Sequence, residues 1–239
     1  MSDASRDVPV PSGPAGATEL PSLPVRLVQV FTAPARLFDA LRETPRFLGA
    51  MLVVIGIGLV VQALIPADLV REFALSQLPP DATPEQVAAV EQFTGVGNVF
   101  RWIGTILFPP LMILLATGFI LLVWNVMMGG DERFRTVLAC ASHGYIIWAA
   151  GGLVTMPLVL ARNDLRMTFS LHLLAPGLDP GTYLFRFLQG LNLFGLWTMV
   201  VLGIAVSRLY PRVSAGMAST VMILAYVVLK AIGAIFSPG

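Results

Sequence analysis

Five stretches of this 239-residue chain contain no Asp, Glu, Lys or Arg: 47–67, 102–130, 136–161, 187–207 and 213–229. They run to 21, 29, 26, 21 and 17 residues, nearly half the protein. A bilayer core about 30 Å thick takes roughly 20 apolar residues of helix, and in lipid only helices or closed barrels satisfy every backbone group. Runs this long read as helical spans. The fifth continues past Lys230 to Phe236, since a lone lysine near a helix end can lead its ammonium to the interface. The expected fold is all-α: a polytopic membrane protein of five transmembrane helices at about 47–67, 102–128, 136–161, 187–207 and 213–236, with an N-terminal amphipathic interfacial segment.

Composition agrees. Charged residues make up 12% of the chain, against about 25% in soluble domains, while 56% is hydrophobic and mean hydropathy is +0.80. A water-soluble globule is excluded. The net charge of +1 and the single cysteine also exclude a polybasic nucleic-acid binder, an acidic disordered chain and a disulfide scaffold. The expected partner is the lipid bilayer, with other membrane proteins or a second copy of the chain beside it, and no nucleic acid.

The first 24 residues carry no apolar run and are dense in Pro, Ser, Gly and Ala, which reads as a disordered cytoplasmic tail ahead of a membrane domain at 25–239. Targeting then falls to the first span. Nine Lys/Arg lie on the N-terminal side of the spans: Arg6, Arg26, Arg36, Arg42 and Arg46, then Arg133 and Arg135, then Arg208 and Arg212. Six lie opposite, spread over longer loops. The positive-inside rule therefore predicts a cell (inner) membrane protein with a cytoplasmic N-terminus and an external C-terminus.

In 25–44 the residues Leu27, Val30, Phe31, Leu37, Phe38 and Leu41 recur at helical spacing, with Arg26, Arg36, Asp39, Arg42 and Glu43 on the other side. Pro34 predicts two short helices with a restart near Thr32. Such a basic amphipathic segment either lies in the headgroup layer or docks on the bundle. In the first outer loop, Thr83-Pro84-Glu-Gln86 has the pattern of a capping box opening a short helix through Val87, Val90 and Phe93.

Four segments together resemble the bacterial branch of the Yip1-domain membrane proteins. They are Phe31-Thr-Ala-Pro34-Ala-Arg-Leu-Phe38, Thr83-Pro-Glu-Gln86, Gly129-Gly-Asp-Glu-Arg-Phe134-Arg and Leu191-Asn-Leu-Phe194-Gly-Leu-Trp197-Thr-Met-Val-Val-Leu-Gly203. The resemblance extends over roughly 25–236 and implies a five-helix polytopic protein with a cytoplasmic N-terminus. It implies no particular activity.

Signs of chemistry are sparse. His143 and His172 stand alone, without metal-ligand spacing. Cys140 precedes His143 by three residues, which puts a thiol and an imidazole on one side of the third span, with no Asp or Asn nearby to orient the ring. Pro109-Pro110 predicts a kink or broken turn in the second span. Asn125 is among the few polar span residues, and no span holds an Asp or Glu of the kind a coupled carrier uses. Ala139, Ser142, Ala149, Gly151, Gly152 and Thr155 fit close helix packing around a central third span, as do Gly216 and Thr220 in the fifth. Trp102, Tyr183, Trp124 and Tyr210 read as interface anchors. The expectation is a non-enzymatic membrane-organising or complex-forming scaffold without cofactor or metal, the alternative being a small-molecule transporter or channel subunit.

Overall fold

A computed structural model describes residues 20–237. Most of the expected N-terminal tail, residues 1–19, lies outside the described residues. Its last two positions are helical, because α1 (Leu23–Thr32) starts with Pro24 in its first turn. The chain then forms α2 (Pro34–Glu43), α3 (Leu48–Leu64), α4 (Ala67–Leu75), α5 (Pro84–Ile120), α6 (Phe134–Arg162), α7 (Tyr183–Gly190), α8 (Leu193–Leu209) and α9 (Ala215–Phe236). No strand occurs among the described residues; an isolated antiparallel bridge joins Ser170 and Asn192.

Among the described residues three helical segments are long and apolar enough to cross a membrane: Gly97–Met127, Phe134–Arg162 and Ala215–Phe236. α3 and α4 pass the same test only as a pair, and they are bent by 78°. The bend falls at Pro66, which cannot continue the ladder of α3. α8 is a shorter apolar helix of 17 residues. The charge-free run at 187–207 hides a break at Leu191, after which Asn192 Oδ1 accepts from the amides of Phe194 and Gly195 and caps α8. The apolar helix there starts at Leu193, not Phe187.

α5 departs most from expectation. The capping box is present: Thr83 Oγ1 accepts from Gln86 N at 3.4 Å, and Thr83 N donates to Gln86 Oε1 at 2.8 Å. The helix it opens does not stop in the outer loop but continues for 37 residues, about 55 Å at 1.5 Å per residue. A π-helical turn at Leu121–Met127 extends it further. A helix needs a stop signal to end, and neither Gly95-Val-Gly97 nor Arg101 supplies one.

α6 is the centre, packing against α1, α2, α3, α5 and α8. Its small residues admit neighbours: a Cβ at Gly144 would meet Leu202 Cδ2 at 2.7 Å, and one at Gly151 would collide with the Phe194 ring. In the last span the expected contact at Gly216 is absent, an added Cβ there meeting nothing within 4 Å. The close approach is instead between Gly203 of α8 and the Ser219 backbone of α9. Hydroxyls inside the helices are satisfied locally, as in Thr117 to Ile113 O, Ser142 to Leu138 O, Thr155 to Gly151 O and Thr198 to Phe194 O.

α1 and α2 form the two short helices expected, broken at Ala33, and they dock on the bundle. Val30, Leu37, Phe38 and Leu41 are fully buried. Arg26 is the correction: expected on the polar side, it is 7% exposed. Trp124, expected as an interface anchor, is also buried, with its ring edge-on to Phe119.

Candidate functional site

The α1 docking places a cation beside the central helix. Arg26 Nη1 lies 3.3 Å from His143 Nε2, and His143 Nδ1 lies 2.8 Å from Ala139 O. A carbonyl only accepts and a guanidinium only donates, so the imidazole is neutral with its proton on Nδ1. His143 is fully buried. Burial and then nearby Arg46 lower the Arg26 pKa from its ordinary value. Arg26 Nε and, one turn on, Gln29 Oε1 have no hydrogen-bond partner among the described residues. With both ring nitrogens of His143 engaged, buried Cys140 makes no hydrogen bond to it, and the thiol–imidazole pair does not form.

A second polar group lies where α5, α6, α8 and α2 meet. Asn125 Oδ1 accepts from Tyr210 Oη at 2.6 Å, and Asn125 Nδ2 donates to Glu132 O at 2.8 Å. Arg42 pairs with Glu132 at 2.7 Å and reaches the Arg208 carbonyl at 3.4 Å, while Arg208 holds Asp39 through two bonds of 2.7 Å. Asp39 raises the Arg208 pKa, and burial is the first cause raising that of Tyr210. Gly129 takes φ +71°, and a Cβ at Gly130 would lie 2.6 Å from Tyr210 Cε1, so both glycines are required by this turn. An adjoining cavity of about 280 Å³ is lined by Arg42, Glu43, Asp131, Glu132, Arg133 and Thr136. Charges of both signs face it.

Pro109 and Pro110 sit inside α5 without ending it. They remove the amide donors for the carbonyls of Thr105 and Ile106. Gly58 of α3 approaches at this level, its ideal Cβ 3.3 Å from Thr105 Cγ2. Toward the α4 end, with its amide oriented by its neighbours, Gln62 Oε1 accepts from Arg101 Nε at 3.1 Å and from Nη2. Arg101 belongs to none of the three ion pairs among the described residues. A cavity of about 470 Å³ opens there between α4 and α5, apolar along most of its wall. In the loop before α7, His172 Nδ1 lies 2.6 Å from Ser170 Oγ and the ring stands edge-on to Phe185.

The structure thus engages Asn125 in one polar group and His143 in another, and brings Cys140, Pro109 and Pro110 into neither. The sequence did not mark Arg26, Tyr210 or Glu132 as members of a polar site: Arg26 read as a charge on the polar side of its helix and Tyr210 as an interface anchor. Arg26 had one signal: it precedes Val30 by four residues and so shares its side of the helix. No cluster of three His, Cys, Asp or Glu able to hold a metal occurs among the described residues.

Long apolar helices packed around α6 define a multi-pass, all-helical integral membrane protein. The Yip1 domain family model matches residues 28–237, and the chain belongs to that family. No curated protein and no solved structure matches it.

Proposed function

We propose that the protein is a non-enzymatic membrane-organising or complex-forming scaffold with five spans, α3, α5, α6, α8 and α9. In this reading the N-terminus is cytoplasmic, the C-terminus is external, and α1–α2 lies at the cytoplasmic interface. One observation carries it: the polar side chains at the centre are spent on holding helices together, while α5 and α9 keep broad apolar faces outward. Both ring nitrogens of His143, and both the oxygen and the nitrogen of the Asn125 amide, are engaged by protein partners. Leu107, Leu111 and Leu115 of α5, and Leu224, Val228 and Ile235 of α9, are exposed. The α1–α2 segment supports an interfacial position because Val25, Val28 and Phe31 remain exposed beside its basic residues.

The test is purification in mild detergent with cross-linking and mass spectrometry, followed by reconstitution. A stoichiometric membrane-protein partner or a defined homo-oligomer supports the scaffold. A protein without such partners that carries a solute across proteoliposomes overturns it in favour of a transporter or channel subunit.

A further inference from the structure

Between α4 and α5 the chain leaves a cavity of about 470 Å³, in the size range of small-molecule sites. Its walls are Val70 and Ala74 of α4 facing Val90, Phe93 and Gly97 of α5, with Arg101 at the end nearest the spans. We propose that this cavity binds an anionic amphiphile, a single apolar chain ending in a carboxylate or phosphate, with the anion on Arg101. The assignment goes beyond the scaffold role and does not depend on it.

Three observations carry it. The wall is apolar at a position where both helices are otherwise joined by the exposed pair Arg71–Glu91. Arg101 stands within the apolar segment Gly97–Met127, meets only the neutral amide oxygen of Gln62, and has no carboxylate partner among the described residues. A cation so placed keeps donors available, and a planar guanidinium matches a carboxylate or phosphate with two parallel bonds. Third, the wall is open at position 97: Gly97 lines the cavity, and a Cβ there meets nothing within 4 Å. The chemistry therefore combines an open slot with a mostly apolar wall for a hydrocarbon and a guanidinium at its end, the pattern that selects an amphiphilic acid over a neutral lipid or a water-soluble anion.

The test uses the full chain in nanodiscs of phosphatidylcholine and a fluorescent long-chain fatty acid as the probe. Saturable binding is expected, weakened about tenfold or more in Arg101→Gln, as loss of a charge-assisted hydrogen bond implies. Gly97→Leu, which fills the slot without touching the charge, should weaken it as strongly, and Arg101→Lys should keep most of it. The corresponding long-chain alcohol should compete poorly. Competition by phosphatidylglycerol, by free fatty acid, or by both identifies the source of the anion, each agreeing with the assignment. Equal binding by wild type and Gly97→Leu, or an alcohol that competes as well as the acid, overturns it. If Arg101→Gln does not fold, Gly97→Leu and the alcohol decide alone.

Discussion

Arg26 Nη1 donates to His143 Nε2 across 117 positions of sequence, joining the N-terminal helix to the middle of the central helix. The acceptor exists only while the imidazole is neutral, with its other nitrogen donating to Ala139 O. Removing the acceptor strands a buried cation. His143→Phe should therefore destabilise the protein by about 1.5–3 kcal/mol, the range for losing a hydrogen bond to a charged group. Arg26→Met with His143→Phe should recover part of that loss, because both polar groups leave together. Thermal unfolding of the four proteins of this cycle in detergent measures the coupling; a double variant as unstable as the sum of the singles contradicts it.

The polar network at Asn125 separates buried from exposed bonds. Tyr210→Phe leaves Asn125 Oδ1 without its 2.6 Å donor and should cost about 1–2 kcal/mol. Asp39→Asn should cost less, about 1 kcal/mol at most, since the pair with Arg208 is 46% exposed on both sides. Exchanging the charges, Asp39→Arg with Arg208→Asp, should restore the small difference. Denaturation curves in one detergent give the ranking.

Two glycines test where helices touch. Gly203→Ala drives a methyl into the Ser219 backbone and should cost about 1–3 kcal/mol, as overpacked cores do. Gly216→Ala meets open space and should be neutral or stabilise by up to about 1 kcal/mol. The two melting temperatures should move in opposite directions or differ clearly; equal shifts contradict the α8–α9 contact.

The contrast between these glycines shows what the sequence could carry. Both follow the same small-residue logic, and only the mutual rotation of α8 and α9 decides which is used. The charge-free run at 136–161 located α6 to within two residues at each end, because lipid penalises ionised groups along the whole span, whereas the run at 213–229 stopped at Lys230 and short of the α9 end at Phe236. The same criterion misplaced the ends of α5 and α8. A helix ends where caps and breakers act, and Arg101 is neither, whereas Asn192 is a cap inside an uncharged run. Asn125 and His143 were visible as polar span residues, but their partners Tyr210 and Arg26 lie 85 and 117 positions away. No local pattern contains that information.

His172 should respond to pH. Burial lowers its pKa below 6.5, with Asp164 opposing in part. The folded loop thus favours the neutral ring, and its contribution is present above about pH 6.5 and is lost as pH falls through the folded value. Hydrogen exchange of the segment at 168–173 should accelerate as pH is lowered through that range, after correction for intrinsic rates. His172→Asn should flatten the response. An exchange profile identical in both proteins contradicts the assignment.

The five-span reading makes a prediction about the two ends of the chain. Helix lengths alone give three spans among the described residues, or four if the bent α3–α4 pair crosses as one; with that pair crossing, α8 decides the parity. Its 17 residues cover about 25 Å, short of a 30 Å core, but thinning of the bilayer accommodates a short span at modest cost. With α8 crossing, the turn at Arg208 and Arg212 stays on the side of Arg42 and Arg133, as the docked pairs Arg208–Asp39 and Arg42–Glu132 require. An odd number of spans then puts the C-terminus opposite α1. A reporter active only after export should work when fused after residue 239, and a reporter active only in the cytoplasm should work when fused within the turn after α8 and fail at the C-terminus. Cytoplasmic activity at the C-terminus removes one span; a turn fusion that stays cytoplasmic then assigns the loss to α9, and one that becomes external assigns it to α8 or to the α3–α4 pair.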